Sequence, residues 1–249
     1  MTDDRKRVLV TVPNEGWVRK ELMETMLSLL MDQRYVLRFN FPVIKPIEES
    51  RNQLAKLFMA EGHDYWLSID CDNIPMRNPL DLVALDKDIV GAPYPVGHGI
   101  TRKGQNPVGL SGYVWHEESK GYVSDPRPYG LKRVDAVATG CILIARRVLE
   151  SKAMMDGGPF TRPLNEDGTQ KIGEDYAFCD KALKNGFEVW CNFDLPVMHI
   201  KEVELRDYAE SLYAHFLENH SAKQQQEKRG PAIITPDHEP FSVVLCGDG

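Results

Sequence analysis

Tyr65-Trp66-Leu67-Ser68-Ile69-Asp70-Cys71-Asp72-Asn73-Ile74-Pro75 begins as an apolar run and ends in acid. So short a run, without polar alternation, fits a strand covered on both faces, as in a parallel sheet. Upstream, Ser50 and Gln53 stand in the S-x-x-Q relation of a capping box. The residues that follow, Leu54, Leu57 and Phe58, form an apolar helical face that Gly62 stops. Earlier still come a strand at 35–41 and a helix over 17–31, with Val18, Leu22, Met26, Leu29 and Leu30 at helical spacing. The first strand, 8–12, is closed by Pro13. Downstream, Asn78 and Pro79 read as cap and first residue of a further helix, with Asp81 in its first turn, and 88–92 reads as a strand.

This β-α-β-α-β order predicts a single α/β, Rossmann-like domain with a mostly parallel central sheet flanked by helices. In such sheets ligands bind at the carboxyl ends of the strands, which singles out Asp70 to Asn73. The domain is expected over 1–220, followed by a polar tail at 221–249. Residues 97–133, rich in Gly, Pro and aromatics, read as a long mobile loop. Beyond it, 134–145 reads as a strand containing Gly140, 146–153 and 174–185 as helices, 187–191 as a strand, and 205–217 as a helix. Residues 241–245 suit an edge strand.

The 249 residues carry 30 Lys and Arg against 37 Asp and Glu, a net charge of −7. Nonspecific nucleic-acid binding relies on many phosphate-neutralising cations, so this balance argues against it. No apolar run approaches the length of a membrane span, and the opening MTDDRKRVLVTV lacks the pattern of a secretory signal. The five cysteines (Cys71, Cys141, Cys179, Cys191 and Cys246) are scattered and never in C-x-x-C, which fits reduced thiols. Together these features predict a cytoplasmic location, that of a host cell if a phage encodes the chain, with no protein partner indicated.

Asp70 and Asp72 share one rim of the sheet if the chain stays extended. Two such carboxylates repel unless a cation lies between or beside them. A hard divalent ion, Mn2+ or Mg2+, suits oxygen ligands and leaves positions for phosphates. The plainer alternative is a turn, which Asp and Asn favour. A calcium-binding EF-hand loop fails on Ile74 and Pro75, which stand where a ligand and a glycine are required. A haloacid-dehalogenase-like phosphatase is disfavoured by Asn73 and by the αβ structure upstream.

Gly173-Glu174-Asp175 opens the later helix. The acidic pair there either complements the helix dipole or places a carboxylate to take a proton from an attacking hydroxyl. His199, among apolar neighbours, is either a core histidine or a metal ligand.

The order of these parts resembles a GT-A-fold glycosyltransferase, nearest to the small, single-domain family 2-like enzymes. The resemblance spans about residues 8–217. Pro13 and Asn14 look like the nucleotide-facing loop, Ser50-Arg51-Asn52 like an Arg-Asn element, and Asp70-Cys71-Asp72 like the D-x-D motif. Gly140 lies in what looks like the Thr-Gly step beneath the donor sugar or the acceptor. Glu174-Asp175 looks like the acidic pair at a helix start, and His199 like the late metal-completing histidine. The resemblance implies a nucleotide-sugar donor and a Mn2+ or Mg2+ ion held by Asp72 and His199. Asp70 would touch the ribose or a metal-bound water, and Arg51 a phosphate. Asp175 and Glu174 would be the catalytic pair: Asp175 would be the base if the transfer inverts, the outcome the Glu-Asp pair favours, and would orient donor or acceptor if it retains. The acceptor is left open among a glycan, a lipid-linked sugar and a hydroxymethylated DNA base. Trp115, Tyr113 and Tyr129 could stack on a ring, and Arg102, Lys103, Lys132 and Arg133 could meet phosphates. Two rivals stay open: a nucleotidyltransferase of similar fold, although residues 13–16 hold one glycine where a Gly-rich loop is usual, and a non-catalytic sugar- or nucleic-acid-binding module.

Overall fold

A computed structural model describes residues 4–43, 45–97, 108–201 and Tyr213. The chain divides into two units, Met1–Lys201 and Glu202–Gly249, and the fold below is that of the first. The expected helix at 205–217 (Tyr213 apart), the tail, the strand at 241–245 and the pair Arg102 and Lys103 lie outside the described residues.

The N-terminal half follows the expected alternation: β1 (Arg7–Thr11), α1 (Lys20–Leu30), β2 (Val36–Asn40), α2 (Ile47–Glu61) and β3 (Tyr65–Ile69). Both β1–β2 and β1–β3 pair in parallel. All five residues of β3 are buried, as the unbroken apolar run requires. Helix α2 departs from expectation at its start. It begins at Ile47 behind Pro46, so Ser50 is an interior residue and not the cap, and its buried hydroxyl has no hydrogen-bond partner. Proline supplies a preset φ at the helix entry, which overrides the capping-box signal. Gly62 ends the helix at φ 70°, a left-handed conformation that favours glycine.

After β3 come β4 (Asn73–Pro75), a 3-10 helix (Pro79–Leu85) and β5 (Ile89–Gly91). Asn78 caps the 3-10 helix, its side chain accepting the Leu80 N–H at 3.0 Å. The expected loop at 97–133 is instead largely strand where it is described. It follows β6 (Pro95–Gly97) and carries β7 (Val108–Leu110), the hairpin β8 (Gly112–His116) with β9 (Gly121–Ser124), and β10 (Leu131–Arg133). Each strand is only three to five residues long. Glycine and proline between such short strands give the composition of a loop.

The expected strand at 134–145 is two strands, β11 (Ala136–Val137) and β12 (Cys141–Ala145), broken by a turn at Thr139 and Gly140. Helices α3 (Arg146–Glu150), α4 (Lys152–Met155) and α5 (Glu174–Lys184) precede β13 (Val189–Asn192) and β14 (Val197–His199). The central sheet has seven strands in the order β10-β13-β5-β12-β3-β1-β2. Five of them run one way, while β12, between β5 and β3, and β10, at the edge, run against them. The sheet is therefore mostly parallel and flanked by helices, as the sequence predicts. Its core is built on Leu9, Trp66, Leu67, Ile89, Leu143 and Phe178, each fully buried. Among the described residues no helix is long and apolar enough to cross a membrane.

Candidate functional site

The chain does not stay extended beyond β3. The Asp70 N–H donates to the Gly140 carbonyl at 2.9 Å, and the Asn73 N–H closes a turn onto the Asp70 carbonyl at 3.0 Å. The Asp-x-Asp segment is thus a turn and not an extended strand end, and its two carboxylates take different partners.

Asp70 turns to Arg51. One guanidinium nitrogen of Arg51 reaches both Asp70 oxygens, at 3.0 and 3.1 Å, and the other makes a close hydrogen bond to Glu174 Oε1. The Arg51 side chain is only 3% exposed. It stands in the second turn of α2, not the first, and both terminal nitrogens go to carboxylates, so the fork that suits a phosphate is already filled. Arg51 therefore clamps the turn after β3 to the start of α5, and its own bond to Glu174 spans 123 residues of sequence. Burial raises the pKa of Asp70, the positive charge of Arg51 pulls it back, and the charge of Asp72 raises it further. Arg162 adds a second cation behind the clamp, 3.0 Å from Glu48 and 3.8 Å from Glu174.

Asp72 turns to the other end of the described chain. β14 pairs antiparallel with β4, setting His199 opposite Asn73. This brings His199 Nε2 to 3.5 Å from Asp72 Oδ2. The other imidazole nitrogen, Nδ1, lies 2.8 Å from the Pro95 carbonyl, which can only accept, so Nδ1 carries the proton. The ring also packs edge-on against Tyr94, with centroids 4.7 Å apart. Asp72 Oδ1 accepts from Asn73 Nδ2 at 2.8 Å, and Oδ2 also makes a close hydrogen bond with the Lys201 ammonium. Burial works against ionisation of Asp72, yet His199 and Lys201 outweigh it and hold its pKa down to about 2.

Asp175 differs from its neighbour Glu174. Burial first, then the adjacent Glu174 charge, push its pKa up to about 6. Its Oδ1 accepts from the N–H of Tyr176 at 2.8 Å. Glycine suits position 173 because a Cβ there would come within 2.6 Å of that same Oδ1. Gly140 is constrained more tightly, since a Cβ would meet the Tyr94 ring at 2.4 Å and Asn73 Nδ2 at 2.7 Å. Asn14 is buried and bonds to the Val12 and Pro42 carbonyls and the Gly16 N–H, holding the loop after β1 to itself; Pro13 precedes it in that loop.

The fold thus gathers Arg51, Asp70, Glu174 and Asp175 in one electrostatic network and Asp72 and His199 in direct proximity. Asn73, already within the stretch singled out by the sequence, belongs to the same surroundings, as do Tyr94, Arg162 and Lys201, to which no sequence pattern pointed. Only the position of Lys201, two residues after His199, offered a hint. Of the aromatics expected to stack on a ring, Tyr113 is buried, whereas Trp115 and Tyr129 are exposed. Lys132 is committed to Asp125 at 2.8 Å and Arg133 to Glu188 at 3.1 Å.

Among the described residues no group of three or more His, Cys, Asp or Glu is arranged to hold a metal. Two donors do fit one. A metal-bound imidazole commonly donates its other N–H to a carbonyl, as His199 does to Pro95, leaving its free nitrogen toward Asp72.

No protein-family model and no curated protein matches the chain. Among solved structures, A197 from STIV is similar at 16% identity over 79% of this chain and 86% of that one, with a TM-score of 0.50. GalNAc-T7, solved with UDP, GalNAc and Mn2+, shows 14% identity over 80% of this chain and 44% of its own, with a TM-score of 0.45. The inositol-1-phosphate CTP transferase from T. maritima shows 12% identity over 85% and 96%, with a TM-score of 0.41. At these identities the likeness to A197 is one of fold.

Proposed function

We propose that the chain is a metal-dependent glycosyltransferase that moves a sugar from a nucleoside-diphosphate donor to an acceptor hydroxyl with inversion. The observation that carries this reading is the approach of His199 Nε2 to Asp72 Oδ2, beside a clamp that joins Asp70 to the α5 start. A divalent ion, Mn2+ or Mg2+, held by Asp72 and His199 would stabilise charge on the departing diphosphate. With only two protein donors, such an ion keeps positions for phosphate oxygens.

Asp175 is the group suited to take the acceptor proton. A carboxylate with a pKa of about 6 is mostly ionised at neutral pH, yet is a better base than an exposed aspartate. Glu174, committed to Arg51 and Arg162, positions the helix start and does not itself react. Tyr94 and the Pro95 carbonyl fix the His199 ring. The acceptor class is an alcohol: a glycan, a lipid-linked sugar or a hydroxymethylated base.

The test is a thermal melt with UDP, GDP, ADP, CDP or TDP, each with and without Mn2+. At a hundredfold excess over Kd, a bound ligand adds about 2.7 kcal/mol of stability, a shift of several degrees. One nucleotide is expected to shift the melt only when Mn2+ is present, and Asp72→Ala to abolish that shift. No shift with any of the five would sink the reading. Release of pyrophosphate in place of nucleoside diphosphate during turnover would assign a nucleotidyltransferase instead. Donor binding without turnover would assign a binding module.

A further inference from the structure

Asp72 Oδ2 has two neighbours: His199 Nε2 at 3.5 Å and the Lys201 ammonium, which makes a close hydrogen bond to it, while Asn73 Nδ2 donates to Oδ1. The Ile200 N–H donates to the Asp72 carbonyl at 2.9 Å, which anchors the chain one residue before the lysine.

We propose that Lys201 is a resident cation: it occupies Asp72 Oδ2 when no divalent ion is bound, and must swing away for Mn2+ or Mg2+ to take Asp72 and His199. This rests on the metal reading above. Exposure tells how firmly the lysine holds. The Lys201 side chain is 59% exposed and that of Asp72 21%. An exposed ion pair is worth at most about 1 kcal/mol, so Lys201 is a displaceable occupant and not a permanent replacement for the metal. Arg51, at 3% exposure and held by two carboxylates, is the opposite case and stays. Once displaced, the ammonium lies next to the ion on a flexible stem and can move to a phosphate oxygen. Diphosphate and metal then favour each other's binding, because a phosphate gives Lys201 somewhere else to go.

The test uses the full-length protein and Mn2+ alone, with free Mn2+ read by electron paramagnetic resonance at low ionic strength. Lys201→Met is expected to bind Mn2+ about fivefold more tightly than wild type, the fold-change matching a pair worth about 1 kcal/mol. Lys201→Arg, which keeps the charge, is expected to match wild type, and His199→Ala to bind weakly. Pyrophosphate is expected to raise Mn2+ affinity more in wild type than in Lys201→Met. If Lys201→Met and wild type bind Mn2+ equally while His199→Ala loses it, the resident-cation proposal fails and the metal site stands. Weaker binding by Lys201→Met also overturns the proposal, by making the lysine a helper of the ion. If neither protein binds Mn2+, with or without pyrophosphate, both readings fail.

Discussion

Asp175 resists ionisation twice over, through burial and through Glu174 beside it, and its pKa of about 6 stands above the ordinary 3.8. The folded chain therefore holds this proton more tightly than the unfolded chain does. The stability this contributes is whole below about pH 4 and is lost as pH rises through 6. Asp175→Asn, which cannot ionise, should remove that slope and gain on the order of 1–2 kcal/mol over wild type at pH 8, as read from urea denaturation at several pH values. In the proposed reaction the base must be deprotonated. So kcat/KM should climb as pH rises past about 6, and Asp175→Asn should lose about a hundredfold or more of kcat while still binding donor. Arg51 is the second residue with leverage. Arg51→Met would leave Asp70 without its cation and Glu174 with only the more distant Arg162, both partly shielded from water, at a cost of about 3 kcal/mol in stability, read from denaturation. Neutralising both carboxylates in the same chain, with Asp70→Asn and Glu174→Gln, should recover part of that loss.

Among the elements, the turn between β11 and β12 meets the turn after β3 through Gly140. Gly140→Ala would drive a methyl into the Tyr94 ring and Asn73, and Tyr94 packs on His199. The variant should lose about 1–3 kcal/mol of thermal stability, with weaker Mn2+ binding as a second readout of the displaced imidazole. Much of this level was legible beforehand. The strand Tyr65–Ile69, the helix from Glu174 and the stop at Gly62 follow from local apolar spacing and from chain chemistry that tertiary contacts do not override. The helix start at Ile47 was hidden because two valid signals competed, a capping box at Ser50 and a proline at 46. The short strands between 108 and 133 were hidden because three to five residues carry too little periodicity. The pairing of Glu174 with Arg51 and of Asp72 with Lys201 was hidden because pairing across more than a hundred residues is a property of topology.

For the molecule as a whole, β12 inserted against the direction of its neighbours is what the strand-helix alternation could not foretell, since no local pattern encodes the direction a strand takes. The closed core has a chemical consequence. Cys141, Cys179 and Cys191 are buried free thiols whose pKa values burial raises, so none should react with an aromatic disulfide reagent in the native state, and all should react in urea. Cys71, half-buried, is held protonated first by burial and then by the charges of Asp72 and Asp70, and should react slowly. Mass-spectrometric mapping of the labelled thiols checks both.

The β4–β14 ladder has only three rungs: Val197 to Pro75, Met198 to Ile74 and His199 to Asn73. Side chains alternate across a strand, so a slip of one position would swing the imidazole to the far side and offer the thioether of Met198 in its place. A sulfur donor prefers softer ions than manganese or magnesium, so the ion that the proposed site would favour hangs on the fidelity of a very short zipper. The Val197 N–H on the Pro93 carbonyl, the Ile200 N–H on the Asp72 carbonyl and the Met76 N–H on the Pro196 carbonyl are pins that keep that zipper from sliding.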